Sequence, residues 1–83
     1  MEYSELLILR IRSICKKKNL SINKLAQMSN LNQSTINNIM QGDSKNPGVQ
    51  TLHKIANALN MTVAEFLDFQ ELNDYSFDDN EED

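Results

Sequence analysis

The 83-residue chain has no tryptophan, one cysteine, one proline, two glycines and only 6% aromatic residues. A single thiol, Cys15, cannot form an internal disulfide and suits a reducing compartment, so a cytoplasmic location is expected. Scarce glycine, one proline and no sustained polar–apolar alternation speak against sheet and for helices with short connections. The longest apolar run near the N-terminus, Leu6-Leu7-Ile8-Leu9, is closed by Arg10. It is too short for a signal peptide or a membrane span. His53 has neither a second histidine nor a nearby cysteine to share a metal ion. Cys15 falls on an apolar helix face, so no cysteine–histidine nucleophile pair is expected. The two glycines build no phosphate-cradling loop, and the C-terminal carboxylates lack the glycine and spacing of a calcium loop. No enzyme, cofactor or metal site is expected.

What is present is unevenly charged. Formal net charge is −4, but residues 1–70 hold all eight basic residues against five acids and carry +3. Residues 71–83 hold seven acids and no base, and carry −7. A mildly basic body with an acidic end is compatible with a nucleic-acid partner, which the whole-chain charge would disfavour.

Apolar spacing divides the body into helices. From about Ser4 to Lys18, Leu6, Leu7, Ile11, Ile14 and Cys15 mark one face, with Ser4 the candidate cap. Lys16, Lys17 and Lys18 fall in the last turn, where cations suit the helix dipole, and Asn19 can take the left-handed conformation that ends it. Ser21 caps a second helix running to about Ser29, with Leu25, Ala26 and Met28 inward; Asn30 supplies the turn. Asn32 caps a third helix, about Gln33 to Gln41, which Gly42 ends. The segment GDSKNPG, Gly42 to Gly48, concentrates the turn residues. A fourth helix, about Val49 to Leu59, turns Leu52, Ile55, Ala56 and Leu59 inward and ends at Asn60. Thr62 and Glu65 form a capping box for a fifth, from Val63 to about Phe69, whose apolar side includes Phe66 and Leu67. Met28 and Met40 are read as core filler, and His53 as a solvated residue. Residues 1–72 form one all-α domain, and 73–83 an acidic tail expected to be disordered.

The third helix is unusual in its polar face. Thr35, Ile36, Ile39 and Met40 make one apolar stripe on a 3.6-residue period. Opposite lie Gln33, Ser34, Asn37, Asn38 and Gln41, which carry amides and a hydroxyl but no formal charge. Solvated faces ordinarily use Glu, Lys and Arg, which favour helix more than Asn and Ser do. Amides offer paired donors and acceptors that match base edges in a DNA major groove. With a three-residue corner before it, this pattern reads as a DNA-binding helix-turn-helix.

The stretches IRSICKKKNLS (Ile11 to Ser21), LAQMSNLNQSTINNIMQG (Leu25 to Gly42) and P..QTLHKIANALNMTVAEFL (Pro47 to Leu67) resemble the phage repressor and Cro type of helix-turn-helix, the XRE family. The resemblance covers about two thirds of the chain. It implies a five-helix, lambda-repressor-like domain whose third helix enters the major groove, usually as a dimer on a palindromic operator. By position it implies base contacts from Gln33, Ser34 and Asn38, and Asn37 is expected to contact bases as well. It places backbone contacts at Asn32 and Thr35 and, in the loop, at Lys45 and Asn46. Ser21 and Gln41 are expected there too. Four departures stand out: Ile22 where many members have Gln, Asp43 in the phosphate-facing loop, Asn30 and Asn60 in place of glycines, and Cys15 with Met40 where many members pair Arg with Glu. Losing both partners of a buried ion pair can be neutral or stabilising, so Cys15 and Met40 are expected to be buried together.

The function expected is a sequence-specific DNA-binding transcriptional regulator, a repressor acting by occlusion. In a chain of this length no separate ligand-sensing domain is expected. The partner is double-stranded operator DNA, with a homodimer formed through Phe66, Phe69, Leu72 and Tyr75. The alternative class is a protein-interaction module, such as an antitoxin-like protein whose C-terminal region binds a protein partner. The −7 tail and Asp43 favour that class.

Overall fold

The computed structural model describes residues 1–78. Six helices and no strand are found among the described residues: α1 (Tyr3–Lys18), α2 (Ile22–Met28), α3 (Gln33–Met40), α4 (Val49–Ala58), α5 (Val63–Leu67) and α6 (Gln70–Asn73). The all-α architecture and the expected order of helices hold.

The apolar stripes meet in one core. Leu7, Ile11, Ile14 and Cys15 from α1 pack with Leu25, Ala26, Ile36, Ile39, Leu52, Ile55, Ala56, Leu59 and Phe66. Ile22, which replaces a polar residue common in the resembling family, packs against this core at the first position of α2. Cys15 is buried, whereas Met40 is only half-buried against the same cluster, short of the full burial expected. Burial raises the Cys15 thiol pKa above its ordinary value, because a thiolate would lose its hydration there.

Four helices end in the same way. Asn19, Asn30, Gly42 and Asn60 take positive φ of 57°, 59°, 85° and 63°. In each case the amide of the following residue reaches back five positions: Leu20 to Cys15 O, Leu31 to Ala26 O, Asp43 to Asn38 O and Met61 to Ala56 O. This is the Schellman ending, which satisfies carbonyls the helix leaves unpaired. After each asparagine the next residue is apolar (Leu20, Leu31 or Met61) and packs on the core.

Several expectations are corrected. Ser4 is not the first cap. It lies inside α1, 5% exposed, while Glu2 caps the helix and donates its N–H to Glu5 Oε1 at 2.7 Å. Ser4 precedes Leu7 by three residues, so it shares the inward face, where its small side chain fits. Met28 is 49% exposed, not core. The inward slot belongs to Ser29, four residues after Leu25, whose hydroxyl donates to Ala26 O at 3.1 Å. Asn32 occupies the cap position of α3, but its side chain makes no capping hydrogen bond.

The capping box of α5 forms as read: Glu65 N–H to Thr62 Oγ1 at 3.0 Å and Thr62 N–H to Glu65 Oε1 at 2.9 Å. The helix nevertheless stops at Leu67 and an unforeseen α6 follows. Arg10 accounts for the early stop. Its Nε and Nη2 donate to Phe66 O at 2.8 Å and Glu65 O at 2.9 Å, and its guanidinium lies 4.9 Å from the Phe69 ring centroid. A cation at a helix C-terminus satisfies the exposed carbonyls and the dipole together.

Phe66 is fully buried, so it cannot serve the subunit contact expected of it. Beyond α6, Tyr75 and Phe77 return to the start of the chain. Tyr3 lies 5.1 Å from Tyr75 and 5.6 Å from Phe77 between ring centroids, and those two are 4.9 Å apart. The tail expected to be disordered thus opens with a packed aromatic trio. Its remainder, 79–83, lies outside the described residues. No helix among the described residues is long and apolar enough to cross a membrane.

Candidate nucleic-acid interface

Helices α2 and α3 meet through a four-residue corner, Ser29 to Asn32. Ser21 Oγ accepts from Lys24 N–H at 3.0 Å and fixes the start of α2. The left-handed Asn30 and the inward Leu31 then turn the chain. Ile36 and Ile39, 0% and 3% exposed, lock α3 onto the core. Thr35 and Met40 flank them, half-buried.

That anchoring decides what faces outward. Gln33, Ser34, Asn37, Asn38 and Gln41 are all exposed on one side of α3. Gln33 Nε2 donates to Asn37 Oδ1 at 3.0 Å, one turn along the helix. The four residues expected to meet bases are therefore brought together on one ridge. Of those expected at the DNA backbone, Ser21, Asn32, Gln41, Lys45 and Asn46 are exposed, and Thr35 is half-buried.

The loop after α3 is tied to the helix by its own backbone. Asp43 and Ser44 N–H groups both donate to Asn38 O, at 2.9 and 3.1 Å. Further along, Lys45 Nζ lies 3.3 Å from Glu2 Oε1, with both side chains 67% exposed. Sequence reasoning missed Glu2. The two residues are 43 positions apart, and no local pattern marks them as partners. No group of three or more His, Cys, Asp or Glu residues placed to hold a metal ion occurs among the described residues.

A short α2, a tight corner and a core-anchored α3 with an amide ridge define a helix-turn-helix domain. The Cro/C1-type HTH DNA-binding domain matches residues 10–71, and the chain belongs to that family of DNA-binding regulators. Among solved structures, it is similar to one described as the crystal structure of the prophage Lp1 protein 11. The two share 33% identity with a TM-score of 0.80, over 90% of this chain and 100% of that one. No curated protein gives a significant match.

Proposed function

We propose that this regulator is a sequence-specific repressor that inserts α3 into the DNA major groove and acts by occluding its operator. One observation carries the reading: an uncharged amide ridge stands free on a helix whose other side is held by Ile36 and Ile39. Gln33, Ser34 and Asn38 meet base edges, with Asn37 beside them. Ser21, Asn32, Thr35, Gln41, Lys45 and Asn46 set the register on the sugar-phosphate backbone. Each well-made amide–base pair discriminates by about 1–3 kcal/mol. Lys45 exchanges Glu2 for a phosphate on binding. An ion pair this exposed is worth about 0–1 kcal/mol, so the exchange is easy.

Dimerisation through the C-terminal region belongs to the same proposal, with Phe69, Leu72 and Tyr75 in the role and Phe66 excluded. Beside Phe69 runs a groove of about 330 Å³ lined in part by Met1, Leu6 and Leu9. Met1 and Leu9 expose 71% and 51% of their surface there.

Selection of bound DNA from a random pool tests the proposal. The expected result is an enriched palindrome with half-sites about 10 base pairs apart or a multiple of that. In titrations, affinity falls steeply with salt as counterions are released. Asn38→Ala relaxes base preference more than Lys45→Ala, which weakens binding evenly across sequences. Flat, undetectable binding at low salt, with and without the tail, sinks the proposal and favours the protein-interaction class.

A further inference from the structure

We infer that Asn37 is a positioning residue: it reads no base itself, but holds the Gln33 amide in the orientation that recognises adenine. This rests on the DNA-binding proposal above and refines it. Gln33 and Asn37 lie one turn apart on the exposed face of α3, and Gln33 Nε2 donates to Asn37 Oδ1 at 3.0 Å. A glutamine on an open helix surface otherwise rotates freely about its three side-chain bonds and samples both faces of its amide. The hydrogen bond to Asn37 removes that freedom before DNA arrives.

The chemistry of the remaining atoms points to one base. The Gln33 amide has two N–H donors and one carbonyl oxygen. With the N–H anti to the carbonyl given to Asn37, the second N–H and Oε1 stand side by side. Adenine presents an N7 acceptor and an N6 amino donor in the major groove. The free N–H matches N7 and Oε1 matches the N6 amino group. Guanine fails, because its O6 would face Oε1 as a second acceptor. The bond to Asn37 therefore leaves the adenine-reading pair intact while fixing its direction.

The two amides are coupled. Were Asn37 to rotate and present its Nδ2, the glutamine would have to turn its carbonyl toward it and show a different edge to the groove. An aspartate at position 37 can only accept, so it permits solely the arrangement seen. An alanine permits any.

The test is selection from a random DNA pool by the full chain and by Asn37→Ala, Asn37→Asp and Gln33→Ala. What is read is the relative preference for adenine at the position that loses it in Gln33→Ala. Asn37→Asp keeps that preference, although its added charge lowers overall affinity at every sequence. Asn37→Ala loses about 2- to 10-fold of it, the range associated with ordering one long side chain. In the free protein, the NMR resonances of the Gln33 side-chain amide move in Asn37→Ala and keep their hydrogen-bonded character in Asn37→Asp. All three substitutions are on the solvent face, and thermal melts verify that each variant is folded.

Unchanged adenine preference in Asn37→Ala overturns the inference while leaving the DNA-binding proposal standing. So does an Asn37→Asp variant that loses preference as Asn37→Ala does, since the donor of Asn37 would then be the reading group. A wild-type chain that enriches no sequence overturns the DNA-binding proposal, and this inference with it.

Discussion

Two side chains in α1 carry information that their own helix does not display. Arg10 bridges 56 and 55 positions of sequence to the carbonyls of Phe66 and Glu65. Its position on α1 gives no hint of those partners, because the end of α5 is brought to it only by folding. Arg10→Met leaves both carbonyls without that donor and is expected to cost about 1–3 kcal/mol in urea denaturation. Arg10→Lys recovers part of the loss, since an ammonium can reach one carbonyl but lacks the fork that takes two. Cys15, by contrast, was legible as a core residue from its spacing with Ile11 and Ile14. Its thiol pKa is raised above 9.0 by burial, so the folded state holds the proton more tightly than the unfolded chain. The contribution is full below about pH 9 and is lost as pH rises toward the folded-state value. Chemical denaturation across pH 7–10 should show stability falling above pH 9, with a shallower fall in Cys15→Ala. In the native protein at neutral pH the thiol should resist a thiol-specific reagent until the chain is unfolded.

At the level of elements, the helix ends were the most readable feature. Asn19, Asn30, Gly42 and Asn60 each stop a periodic run, and all four adopt the left-handed conformation. These signals are local, since the capping hydrogen bonds span only three to five residues. The apolar stripes of α1, α3 and α4 were equally plain, because each helix is long enough to show its period. Where helices shrink, legibility fails. The seven residues of α2 show less than two full turns of pattern, so the sequence points Met28 inward where the fold places Ser29. The four of α6 show barely one turn and no apolar repeat. On the candidate interface, the amide ridge of α3 was visible as composition, but the Gln33–Asn37 bond within it was not. The asparagine endings permit a sharp check. Asn30→Gly relieves the left-handed strain on a residue bearing a Cβ, and should be neutral or stabilising. Asn30→Ala should cost about 1 kcal/mol, because alanine has no side-chain oxygen or amide to compensate that conformation. Both are measurable as shifts in the denaturation midpoint at unchanged slope.

For the whole molecule, the decisive quantity is where charge of each sign is tethered. The body through residue 70 carries +3 and the rest −7, and the fold returns residues 75–77 to the start of the chain. Tyr75 and Phe77 close on Tyr3, and the residue next to Tyr3, Glu2, pairs with Lys45 in the loop proposed to run along phosphates. This juxtaposition links positions 72 residues apart and had no counterpart in the linear pattern. It fixes the point from which the last carboxylates extend. Five residues past Asp78 can span at most about 17 Å. That reach bounds how far the carboxylates of 79–83 can stand from Asp78, whatever path the chain takes. A carboxylate about 10 Å from a phosphate is repelled by about 0.4 kcal/mol in water before screening. Several such pairs are enough to weaken DNA binding by about tenfold at low salt. Deleting residues 75–83 removes five carboxylates and changes the formal net charge from −4 to +1. The truncated chain should bind its operator more tightly at about 20 mM salt, with the advantage shrinking as the Debye length contracts at higher salt. Tyr75→Ala with Phe77→Ala isolates the tether, since it keeps every carboxylate and loosens only their anchor. If the anchor matters, this variant gains part of the affinity seen on truncation. Equal affinities for all three chains across the salt series would show that the acidic end exerts no field on the DNA-binding face.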